Sequence, residues 1–161
     1  MRNALFAALA IALTACGISE LRVPEPTGYD IPWRAQEVFL EGTNFDQVRE
    51  AMVDEGFSLE DADRDAGFLR SAPQAATEGM MVRVTASEVS GGFVVRGDWM
   101  WDQESRRTVA AVRSGLTGRD WDTDPGEWKS AGWTDEGRDR LALLRVIDVA
   151  EAVSAPMELR R

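Results

Sequence analysis

The chain has 161 residues, with 18 basic and 28 acidic side chains, a net charge of −10, one cysteine and no histidine. An excess of acid over base excludes nucleic acid as a partner, since phosphates are held by Lys and Arg. With no imidazole and no second thiol, Ser-His-Asp and Cys-His nucleophiles, His-containing zinc sites and disulfides are excluded, which leaves catalysis only carboxylates, Lys129, Tyr29 or serines.

The N-terminus joins Arg2 to an apolar run from Ala4 to Leu13 and ends in Leu13-Thr14-Ala15-Cys16. Charge, apolar core and small residues before a cleavage point are the layout of a secretory signal, too short to span a bilayer. The single cysteine directly follows the small pair, so Leu13, Thr14 and Ala15 are expected to form a lipobox over a signal peptide of residues 1–15. Cys16 would carry a diacylglycerol and become the new N-terminus. Residues 16–34 hold Pro24, Pro26, Gly28 and Pro32 without apolar periodicity, as a tether does, extending by about 3.1 Å per residue where polyproline II forms. Gly17, not an aspartate, follows the cysteine, which in a Gram-negative host favours the outer membrane and a domain facing the periplasm. Attachment is then through the lipid alone, because an acidic body gains nothing from anionic headgroups.

Residues 35–156 are expected to be one α+β domain, long enough to bury a core without disulfides. Gln36 to Glu41 is a short strand ended by Gly42. Thr43 or Asn44 caps a helix that runs to Gly56, with Gln47 three residues after Asn44 and Phe45, Val48 and Met52 on one face. Phe57 to Glu60 alternates as a strand, Asp61 to Gly67 is its turn, and Phe68 to Ser71 returns as the second arm of a hairpin. Ser71 to Gly79 has the small residues of a loop. Met80 to Ala86 and Gly92 to Trp101 are longer strands, the first setting Val82, Val84 and Ala86 against Met81, Arg83 and Thr85, the second aligning Phe93, Val95, Trp99 and Trp101. Arg106 to Arg113 is a last strand or, given its alanines, a helix. A long polar loop from Ser114 to Trp133 precedes the strongest helix, Arg138 to Ala155, capped by Thr134 and turning Leu141, Leu144, Ile147, Val149, Ala150 and Val153 to the core. Pro156 stops it, and residues 157–161 are expected to fray. The fold class is thus an antiparallel sheet of five or six strands with both helices on one face, in the helix-grip-like order β-α-β-β-β-β-(β)-α.

Three clusters invite chemistry. Asp120, Asp122 and Asp124 alternate like the ligands of a calcium loop, but Pro125 stands where the turning glycine belongs and Ala131 where the bidentate glutamate belongs. A solvated acidic loop explains them better, with a calcium site as the weaker reading. Asp61, Asp63 and Asp65 fit a solvated hairpin cap better than an acid-base group. Of six tryptophans, Trp99 and Trp101 share strand parity with the core residues, whereas Trp121, Trp128 and Trp133 have no periodicity to bury them. The loop trio are candidate partner contacts, or else they pack over an open sheet edge.

The stretch from Asn44 to Leu69 combines an amphipathic helix, a Gly56-Phe57 exit, a strand, an acidic turn ending in Gly67 and an apolar return strand. It resembles the helix-grip domain of the BamC (NlpB) lipoproteins, accessory members of the outer-membrane β-barrel assembly machinery. The resemblance implies a grip-like fold and a non-catalytic role beside an envelope protein partner, without cofactor. This chain departs from the family in its short tether and single domain, and the segment by which BamC holds its partner has no counterpart. Two other functions stay open: a carboxylate-dependent envelope hydrolase, which needs two facing acids in a deep pocket, and a carrier of an apolar ligand between sheet and C-terminal helix.

Overall fold

A computed structural model describes residues 30–77, 79–105, 127–134 and 137–161. The signal segment, Cys16 and the tether up to residue 29 lie outside these, as do 106–126 with the expected last strand, Trp121 and the aspartates at 120, 122 and 124. The eight strands are β1 (Glu37–Glu41), β2 (Leu59–Asp63), β3 (Phe68–Ser71), β4 (Gln74–Thr77), β5 (Met80–Val89), β6 (Gly92–Trp101), β7 (Lys129–Ser130) and β8 (Met157–Arg160). The helices that pack on them are α1 (Phe45–Asp54) and α2 (Gly137–Val153). All strands join one open antiparallel sheet in the order β2-β3-β5-β6-β1-β8, with β4 added to β5 and β7 to β6. The α+β class holds, with eight strands instead of five or six.

Helix α1 forms where its ends are locally satisfied. The Asn44 side chain accepts from the Asp46 and Gln47 amides at 3.0 and 3.1 Å, and Gln47 reaches back to the Asn44 N–H at 3.0 Å. Asn44, not Thr43, is therefore the cap. At the other end Gly56 sits at φ +83, its N–H donating to Val53 O while Phe57 N–H donates to Met52 O. This pair of bonds is a Schellman motif, and it buries Phe57 beside Met52. Phe57 is thereby used to end the helix, so β2 starts two residues later than the alternation suggests and runs through Asp63. The turn is correspondingly shorter, with Asp63 Oδ1 accepting from the Asp65 and Ala66 amides at 3.0 Å each.

Three further elements differ from expectation. The supposed loop after Ser71 contains β4, because β5 has an edge beyond the reach of β3 and Gln74 to Thr77 pair with Val82 to Met80. Between the two pairings the buried Ser71 hydroxyl accepts the Val84 N–H at 2.9 Å, so the ladder is not left with an orphan donor where one strand hands over to the next. The supposed tail is β8, whose Met157 and Leu159 lie opposite Leu40 and Val38. Inside the expected loop, β7 sets Lys129 and Ser130 opposite Trp99 and Asp98.

One face of the sheet meets both helices. Val38, Leu40, Leu69, Val82, Val84, Phe93, Val95 and Trp99 are buried there with Phe45, Val48 and Met52 of α1. Helix α2 buries Ile147, Val149 and Ala150 as expected and adds Ala142, Leu143 and Val146, while Leu141, Leu144 and Val153 pack against the core only partly buried. Gly97 is the reason. A Cβ there would stand 2.8 Å from Val146 Cγ2 and 3.1 Å from Ala142 O, so the helix lies almost on the β6 backbone with small side chains inward. The Thr134 hydroxyl donates to Asp139 Oδ2 at 2.8 Å and its carbonyl accepts from Arg140, while residues 135 and 136, by which its expected capping of α2 would be judged, lie outside the described residues. The left-handed Ser154 (φ 56) closes the helix just before Pro156.

Candidate functional site

Strand alternation decides what the opposite face presents. With Val82, Val84, Val95 and Trp99 turned inward, Met81, Arg83, Thr85, Arg96, Asp98 and Met100 project from the side that neither helix covers. The register groups them in rows. Arg83 lies opposite Asp98 and bonds it at 2.9 Å, and Thr85 lies opposite Arg96, which bonds Glu37 at 2.6 Å. On the far side Arg160 stacks on Phe39 at 3.8 Å from its centroid while bonding Glu158. These rows are self-neutralised and suit solvent. The row at the other end is different, since it sets Met81 directly opposite Met100, with Ala75 of β4 beyond Met81.

Trp128 belongs to this end of the face. It precedes Lys129, whose register with Trp99 puts Trp128 on the outer side, and the Arg83 guanidinium lies 4.3 Å from its ring centroid. Trp133 goes the other way. It packs against the core, donates its N–H to Ala35 O at 2.8 Å and lies beneath Arg140 of α2. The candidate contact trio is therefore divided: Trp128 on the uncovered face, Trp133 as part of the packing on the helix side, and Trp121 outside the described residues.

Trp99 and Trp101 pack edge to face, with centroids 6.1 Å apart. Trp99 is fully buried, and its indole N–H donates to Asp139 Oδ1 at 2.7 Å, tying β6 to the first turn of α2. Lys129 lies over the Trp99 ring and Arg138 over that of Trp101. Seven such cation-aromatic contacts occur among the described residues, where a chain of this size would show about two. The rings so covered are less suited to stacking on a sugar. Trp33, in contrast, is exposed at 45%.

Several carboxylates are engaged by cations and turns. Asp61 and Glu60 approach Arg70, and Asp63 holds its own turn. An open cleft of about 470 Å³ at the start of α1 is lined by Asn44, Asp46, Gln47, Glu50, Arg64 and Glu88. Arg64 bonds Asp46, and this hydrogen bond, helped by the charges of Arg64 and Arg49, holds the Asp46 carboxyl below its ordinary range. A general acid needs the opposite displacement. Among the described residues no group of three Asp, Glu, Cys or His side chains is placed to hold a metal ion. Nor is any helix among them long and apolar enough to cross a membrane. The close seat of α2 on Gly97 leaves no room there for an apolar ligand between helix and sheet.

The pairing of Met81 with Met100 was not legible in the sequence. Each residue has the parity of an outward position, but only the β5-β6 register sets them face to face. No protein-family model matches the chain, and no curated protein matches it.

Proposed function

We propose that the protein is a lipid-anchored component of a bacterial envelope, held through Cys16, whose domain is a non-catalytic binding module for an envelope protein. The observation that carries this reading is the division of labour in the sheet. Both helices pack on one face, and the other, which neither helix covers, carries Trp128 and a methionine row at one end. The lipobox Leu13-Thr14-Ala15 supports the anchoring, and the BamC-like stretch supports an accessory part beside the outer membrane. The downward displacement of Asp46 suits a permanently ionised partner of Arg64 more than it suits acid catalysis.

Two measurements in intact cells test the proposal. Metabolic labelling with an alkyne fatty acid should mark the protein and place it in the membrane fraction, and Cys16→Ser should abolish both. A photo-crosslinking side chain at position 128 should capture a defined envelope protein that the same side chain at position 53, exposed on α1, does not. An unlabelled protein that fractionates with soluble contents overturns the anchoring; equal capture from both positions overturns the face.

A further inference from the structure

We propose that β8 is a dimerisation edge, which pairs antiparallel with β8 of a second copy of this chain about a two-fold axis at Leu159 and so makes one sheet of two molecules. The sheet path ends at β2 on one side and at β8 on the other, and the two ends differ. β2 carries exposed Glu60, Asp61 and Asp63 and a register shift between Leu59 and Asp61, the like charge and the bulge that keep an edge from pairing. β8 has neither. Its register with β1 is regular from Met157 to Arg160, and its charges, Glu158 and Arg160, cancel. The ladder also decides which backbone groups are left over. Pro156 and Arg160 turn their carbonyls to the Glu41 and Gln36 amides, so by alternation Met157 and Leu159 direct N–H and C=O outward, where no described strand takes them up.

Charge then selects the occupant and its register. With Leu159 on the axis, Glu158 of each copy lies opposite Arg160 of the other, and Met157 lies opposite Arg161. Moving the axis to Glu158 or to Arg160 sets that residue against itself, and like charges directly opposite are unfavourable. The helix side of the edge is also suited to be covered. Met157 and Leu159 are half-buried there, and an open groove of about 530 Å³ lies between Met157 and Ala150, Glu151, Ser154 and Ala155 at the exit of α2. Arg161 of the second copy sets its apolar stem over this groove and its charge beside Glu151, which is exposed and in no ion pair among the described residues. A chain with a net charge of −10 opposes contact with itself over most of its surface, but this edge brings Glu151 and Glu158 together with Arg160 and Arg161 and is locally neutral.

The test uses the full-length chain with Cys16→Ser, which has no thiol and no lipid, so its outcome is independent of the anchoring. Sedimentation equilibrium should show a monomer-dimer equilibrium in the micromolar range, as suits an edge contact of small area. Glu158→Arg and Arg160→Glu should each weaken it at least about tenfold, by setting like charges opposite at both crossings, and the chain carrying both should regain it. Glu60→Arg on β2 should leave it unaltered. Cross-linking fixes the register: Glu158→Cys chains mixed with Arg160→Cys chains should give the mixed disulfide on mild oxidation, since residues opposite each other at a non-hydrogen-bonded pair have Cα atoms about 4.5 Å apart, and either variant alone should give far less. A chain that is monomeric at millimolar concentration, association indifferent to the charge reversals, or disulfides without preference for the mixed pair would overturn the proposal. So would a monomer whose position 158 cross-links in cells to another envelope protein, which would give this edge a foreign strand. The cross-links need no charge reversal, and so they decide the register even if a reversed chain folds poorly.

Discussion

At Trp99 one side chain performs three tasks. Its ring fills the inner face of β6, its edge meets Trp101, and its N–H holds the Asp139 carboxylate that also accepts from Thr134. Trp99→Phe keeps an aromatic ring but takes away a donor from a partly buried acid, with an expected loss of about 1–3 kcal/mol. Urea unfolding followed by circular dichroism measures it, and a change below about 0.5 kcal/mol would mean that water replaces the indole without loss. Trp99 shows how far residues can be understood in advance. Its burial follows from sharing parity with Phe93 and Val95, whereas its bond to Asp139 spans 40 positions and has no local signature. Asp139 is in the same position: one acid among 28 in the sequence, distinguished only when α2 is seated.

Elements were legible in proportion to how far they are determined by their own residues. Helix α1 carries its cap, box and exit within Asn44 to Phe57, and the structure keeps all of them. Strands β4 and β8 do not carry such signals. They form because β5 and β1 offer unpaired edges, and a run as short as Met157 to Arg160 takes its conformation from that neighbour. The core face of α2 agrees with its apolar pattern at Ile147, Val149 and Ala150 and is wider than that pattern for a related reason: the close approach at Gly97 brings in Ala142 and Val146, while Leu141 and Leu144 pack at the margin. Gly97→Ala should therefore lift α2 from the sheet and cost about 1–3 kcal/mol by overpacking. The midpoint of thermal unfolding should fall, and Val146→Ala, which removes the Cγ2 that the new methyl would meet, should add less to that loss in the Gly97→Ala background than in the native chain if the helix seat is the cause. An unchanged midpoint for Gly97→Ala would show that the helix shifts freely.

On the scale of the whole molecule, the asymmetry between the two sheet faces organises the binding role proposed for it. Apolar burial and both helices are concentrated on one side, and the other carries ion-paired rows with Trp128 and two thioethers at one end. The outward rows were foreseeable as a parity class, since Met81, Arg83 and Thr85 were set apart from Val82, Val84 and Ala86 by alternation alone. Which strand lies beside which was not, because the sheet path runs from β6 to β1 and then to β8, across most of the chain.

That path also governs how the domain responds to tension. A molecule moored on its N-terminal side is pulled through β1, which is flanked by β6 on one side and β8 on the other. Load along β1 shears both ladders at once, so their bonds must give way as a group and cannot be peeled one by one. The last five residues thus reinforce the point at which a mechanical load enters. In an optical trap, with the chain held at its N-terminal side and at Ser154, close to the far end of β1 where Glu41 bonds Pro156, removing residues 157–161 should lower the rupture force clearly; an unaltered force would assign the resistance to β6 alone.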